Sequence, residues 1–147
     1  MDPLKSIERL IEDRHVLKHP FYVAWREGTL PREALRTYAA QYYKHVRAFP
    51  TYISALHSRC DDLGTRQALL ENLRDEEEGV ENHPALWLRF AAAVGCDEGE
   101  AESAELLPET RGAIEAFRAA VREGSVTRGL AALWAYERNT ALPYEAL

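Results

Sequence analysis

The sequence predicts an all-α helix bundle of about seven helices, on three observations. Apolar residues recur at three- and four-residue spacing along nearly the whole chain, no segment alternates convincingly with period two, and glycine and proline interrupt the pattern at helix-length intervals. At 147 residues and 46% hydrophobic composition, the chain is long enough for one cored domain, residues 1–147, and too short to favour two.

Each element has its own signal. Asp2-Pro3 is a cap followed by proline at the first helical position, and Leu4, Ile7, Leu10 and Ile11 then keep one face to about Leu17. His19-Pro20 opens a short helix through Phe21, Tyr22, Ala24 and Trp25 that Gly28 ends. The third helix is long, because Leu35, Tyr38, Tyr42, His45, Phe49, Tyr52, Ile53, Leu56 and Cys60 share a face between Pro31 and Arg59, with a kink expected at Pro50. Further helices are expected over about 64–78, 83–94 and 108–122 and from Ser125 onward, separated at Gly79, Gly95 and Gly124. The acidic run Cys96 to Glu105 is weakly patterned and reads as an exposed connector or frayed helix.

Composition excludes several functions. The net charge is −6 and the basic residues are scattered, so the footprint of a nucleic-acid binder is missing. No apolar run reaches the ~18 residues of a membrane span, and MDPLKSIERL has no secretion-signal core, so no membrane partner and a cytoplasmic location are expected. Cys60 and Cys96 form neither a redox pair nor a disulfide framework and read as buried thiols.

The informative carboxylates are those on apolar stripes, because an unpaired buried carboxylate is costly. Leu69, Leu70 and Leu73 extend by helical steps onto Glu76 and Glu77, whereas Glu78 points elsewhere. His83 lies seven residues past Glu76, nearly the same face if the helix continued. Gly79 and Pro84 instead favour a bend with Asn82 or His83 capping a new helix, across which the pair could still meet. Glu137 sits three, four and seven residues from Trp134, Leu133 and Leu130, a carboxylate on a core face, with an ion pair to one of fifteen arginines as its structural alternative. Two stripe carboxylates and an imidazole are the donor types that hold iron or manganese inside a bundle. Of the other histidines, His15 reads as a surface residue, His19 as a cap, and His45 and His57 as structural, with His45 a candidate pocket residue.

The segments L-K-H-P-F-Y-x-x-W-x-x-G-x-L (Leu17 to Leu30), Y-A-A-Q-Y-Y-K-H-V-R-A-F-P-T-Y-I-S-A-L-H-S-R-C (Tyr38 to Cys60), D-E-E-E-G-V-E-N-H and A-L-W-A-Y-E resemble the TenA/PqqC-like superfamily, across essentially the whole chain. The nearest branch is that of the chlamydial protein associating with death domains. The resemblance implies a heme-oxygenase-like helical fold and a dinuclear iron or manganese oxygenase acting on dioxygen, alone or with a further small-molecule substrate, with Glu76, His83 and Glu137 as metal ligands. It also implies synthesis of p-aminobenzoate for folate from the protein's own tyrosine, Tyr22 matching the sacrificed ring and Tyr136 standing beside Glu137.

The family's remaining ligands come from a later His-x-x-x-Asp-x-x-His helix, which this sequence does not contain, and no lysine follows Lys44 to serve as nitrogen donor. The chain is therefore expected to be the first two thirds of the family domain and incomplete for catalysis. Two alternatives stand beside this reading: a metal-free enzyme of the superfamily, thiaminase-like hydrolase or cofactorless oxidase, and a non-catalytic helical interaction module. A homodimer is expected.

Overall fold

The structure, a computed structural model, describes residues 3–140; the cap expected at Asp2 and the stripe residue Ala141 lie outside them. It is all-α among those residues: α1 (Pro3–Asp13), α2 (Pro20–Arg26), α3 (Arg32–His57), α4 (Leu63–Glu77), α5 (His83–Ala93), α6 (Glu98–Ser103), α7 (Pro108–Arg122) and α8 (Val126–Thr140), with a 3₁₀ turn at Val16–Lys18. Eight α-helices stand where seven were expected. The extra one is α6, inside the acidic run: Asp97 caps it by accepting the Glu100 N–H at 2.8 Å, and its own Ala101 is fully buried.

The chain divides into two compact units, Arg32–Leu130 and a second formed by Met1–Pro31 with Ala131–Leu147. In the Arg32–Leu130 unit, α3 is the shared element, packing against α4, α5, α6 and α7. Its aromatic face explains this. Tyr43, Phe49, Tyr52, Ile53 and Leu56 are all buried, and Pro50 is buried within the helix. Tyr43 and Val46 join Trp87, Ala91, Cys96 and Ala101 in one cluster, where the Trp87 indole N–H donates to the Ala39 carbonyl at 2.8 Å. Small residues set the close approaches. A Cβ on Gly129 would stand 2.4 Å from Leu56, a fully buried side chain.

Polar side chains tie the ends of these helices down. Arg59 donates to the Val121 carbonyl and, at 2.6 Å, to that of Gly124, satisfying carbonyls that the end of α7 leaves without partners. Arg36 reaches Glu100 at 2.8 Å, and Lys44 donates to the Glu102 carbonyl at 2.5 Å, fastening α3 to α6. Both cysteines are buried free thiols, as their spacing implied.

In the other unit, α1 stops at Asp13 rather than near Leu17. The chain then tightens into the 3₁₀ turn, capped by His15, whose Nδ1 accepts the Leu17 N–H at 3.2 Å. His15 is thus a half-buried cap and not a surface residue. His19 caps α2 in the same way, accepting the Phe21 N–H, and the Val16 N–H donates to Asn139 Oδ1 on α8 at 3.1 Å.

Candidate metal centre

Near the end of α4 the apolar stripe narrows. Leu69 is buried and Leu73 half-buried, and continuing through them buries Glu76 at 6% exposure; Leu70 is 47% exposed, and Glu77, seven residues on, follows it into solvent. Three leucines in sequence therefore specified two different faces. Only the face of Leu69 carries its carboxylate inward.

The chain then has to reverse. Gly79 takes φ +82°, a left-handed conformation that residues with a Cβ rarely adopt. Asn82 fixes the far side of the bend, its Nδ2 donating to the Gly79 carbonyl at 3.0 Å and its Oδ1 accepting the Ala85 N–H at 3.0 Å as the cap of α5. His83 is then the first residue of α5, with Pro84 behind it. The bend brings His83 Nδ1 to 2.8 Å from Glu76 Oε1, a buried carboxylate meeting an imidazole that is 54% exposed.

The rest of the acidic stretch is exposed, and two of its glutamates are paired at the surface. Glu78 accepts from Arg74 at 2.8 Å and Glu81 from Arg89 at 2.7 Å. The Arg74 guanidinium holds the Glu78 carboxyl below its ordinary range.

The Glu76–His83 pair has the chemistry and spacing of two ligands. Two donors bound to one divalent cation at about 2.0–2.2 Å and at right angles lie about 3 Å apart, and a carboxylate oxygen with a neutral imidazole nitrogen suits iron or manganese. Without a cation, the same 2.8 Å is an Nδ1–H donated to the carboxylate, which keeps the buried charge partnered. Among the described residues, no group of three or more His, Cys, Asp or Glu side chains is placed to hold a metal ion.

The other sequence-predicted residues belong to the second unit. Glu137 and Tyr136 lie half-buried on α8 behind Leu133, which is buried, and the Tyr136 carbonyl accepts the Thr140 hydroxyl at 3.0 Å. Tyr22 on α2 is half-buried and stacked on Trp25, ring centroids 6.2 Å apart and 16° from parallel, with Phe21 edge-on at 5.4 Å.

His45 proves more deeply set than its neighbours in sequence suggested. It is 6% exposed among the rings of Tyr42, Phe49, Tyr52 and Phe117, at centroid distances of 5.2–6.0 Å. Burial lowers its pKa to about 4, so the imidazole is neutral at pH 7. The Tyr52 phenol beside it is raised to about 12 by burial. The sequence placed Tyr52 on the apolar face but gave no sign that its hydroxyl would be buried without a hydrogen-bond partner among the described residues.

The sequence pattern of the TENA/THI-4/PQQC family matches residues 4–141. The chain belongs to that family. Within it, the chain is 43% identical over 137 residues to the 4-aminobenzoate synthase of Chlamydia muridarum, covering 93% of this chain and 58% of that protein. It is 45% identical over 142 residues to the 4-aminobenzoate synthase of Nitrosomonas europaea, covering 90% and 58%. The pyrroloquinoline-quinone synthase of Rhizobium meliloti is more distant, 34% identical over 129 residues, covering 84% and 50%. The chain thus spans between half and three fifths of the length of these synthases.

Proposed function

We propose that this chain serves 4-aminobenzoate synthesis as part of a metal-dependent oxygenase, with Glu76, His83 and Glu137 as ligands of iron or manganese. The observation that carries the proposal is the Glu76–His83 pair: a bend held by Gly79 and Asn82 places a buried carboxylate 2.8 Å from an imidazole, in a chain whose relatives are named for that synthesis. Glu137 enters through the A-Y-E segment and its half-buried place on α8.

Bound iron or manganese would supply the one-electron chemistry with dioxygen that side chains lack. The chain's own residues do the rest. Burial strips water from Glu76 and so strengthens its attraction for a cation. His83 offers an imidazole nitrogen on the half-exposed side of the pair. Stacking on Trp25 limits the rotation of the Tyr22 ring, the candidate source of the aminobenzoate ring, and Tyr136 adjoins Glu137. In this reading the protein acts in folate biosynthesis in the cytoplasm, as a homodimer carrying a dinuclear centre, with dioxygen as co-substrate.

The hydrolase alternative needs a reactive thiolate, and the cysteines do not offer one. Cys96 is fully buried with its thiol pushed up by burial, and Cys60 is 8% exposed. The proposal is tested by metal analysis of protein loaded with Fe(II) or Mn(II). Glu76→Ala and Glu137→Ala should each abolish tight binding; binding unchanged in both overturns the assignment.

A further inference from the structure

One turn along α5 from His83 lies Trp87, on the same face of the helix at i+4, a rise of about 6 Å. Trp87 is buried, and its ring centroid stands 4.6 Å from that of Tyr42 and 5.7 Å from that of Tyr38. Tyr38 and Tyr42 are themselves 5.3 Å apart, one turn from each other on α3. Indole and phenol are the side chains most easily oxidised by one electron, and electron exchange between rings in contact far outpaces exchange across a helix diameter.

We propose that Trp87, Tyr42 and Tyr38 form a path by which oxidising equivalents leave the neighbourhood of His83 for the surface of this unit. The use of the path rests on the oxygenase reading above; its existence does not. In the step, a one-electron oxidant arising from dioxygen reduction takes an electron from Trp87. The indole N–H is donated to the Ala39 carbonyl, which is no base, so the radical stays a cation and oxidises its neighbour. Tyr42 or Tyr38 returns one electron to Trp87 and releases its phenolic proton to water. The balance is one oxidant reduced, one neutral tyrosyl radical formed and one proton in solution.

The proton decides where the path ends. Tyr38 and Tyr42 are only half-buried, whereas Tyr52, next along α3 beyond His45, is 1% exposed, with a hydroxyl that has no partner among the described residues. A phenol that cannot give up its proton is a poor electron donor. Tyr52 lies off the path.

The test uses metal-free protein, so failure of metal binding and failure of the path give separate results. Leu86, 44% exposed and adjacent to Trp87, is replaced as Leu86→Cys and labelled with a ruthenium photo-oxidant, the native cysteines being buried. Laser flash with an external quencher should produce an indole radical and then a tyrosyl radical, read by transient absorption and electron paramagnetic resonance. In Tyr38→Phe/Tyr42→Phe, which keeps both rings and their packing, the greater part of the tyrosyl signal should vanish and the indole radical should persist longer. Tyr52→Phe should leave the signal intact. Retention of the greater part of the tyrosyl signal in the double variant overturns the proposal, as does its loss in Tyr52→Phe.

Discussion

His45 shows how far one buried titratable residue can set the pH response of a fold. The unfolded chain takes up a proton near pH 6.5, whereas the folded protein, with the imidazole held among aromatic rings, takes it up only near 4. Stability is therefore full above pH 6.5 and falls as pH drops from 6.5 to about 4, by as much as about 3 kcal/mol from this residue. His45→Phe should flatten that part of the profile, as measured by urea unfolding at pH 7 and pH 5; an unaltered difference between the two pH values would refute the assignment. At this scale the sequence was informative where periodicity is unambiguous. Glu76 falls on the stripe of Leu69 and Leu73 and is buried, but nothing in the sequence separated Leu70 and Glu77 from that stripe, because adjacent residues differ by only about 100° around a helix. His15 was misplaced for a different reason: it closes a 3₁₀ turn whose signal is a side-chain cap and not a hydrophobic period.

Among the elements, the long helices were legible, and so was the short α2, which His19-Pro20 opens and Gly28 ends. α3, α4, α5 and α7 begin and end within a residue or two of where proline, glycine and capping residues place them. α6 escaped because a six-residue helix spans less than two turns and buries chiefly Ala101, too little for a period to appear. Close approach between elements is equally invisible in sequence, since a glycine within a helix reads only as a weak helix former. Gly129 is such a case: an added Cβ would meet Leu56 at 2.4 Å, and Leu56, fully buried, has no room to yield. Gly129→Ala should accordingly destabilise by about 1–3 kcal/mol despite its better helix propensity, as read from thermal unfolding, and a gain in stability would show that the two helices can move apart.

For the whole molecule, the fold class and family were legible because helical spacing and a succession of specific segments run through nearly all of the chain. The Glu76–His83 pair was legible only in part. Sequence spacing identified Glu76 and His83 as candidates, yet the 2.8 Å contact depends on the positive φ of Gly79 and the two Asn82 hydrogen bonds, which no periodicity encodes. The central claim is that this pair binds a metal directly. Titration of the protein with substoichiometric Mn(II), followed by NMR of the histidine ring protons, tests it most directly. The claim predicts selective broadening of the His83 ring signals, abolished in Glu76→Gln, which retains a hydrogen-bond acceptor but loses the charge. Undiminished broadening in Glu76→Gln would reduce Glu76 to a residue that orients His83, and no selective broadening of His83 in the unsubstituted protein would contradict the claim outright.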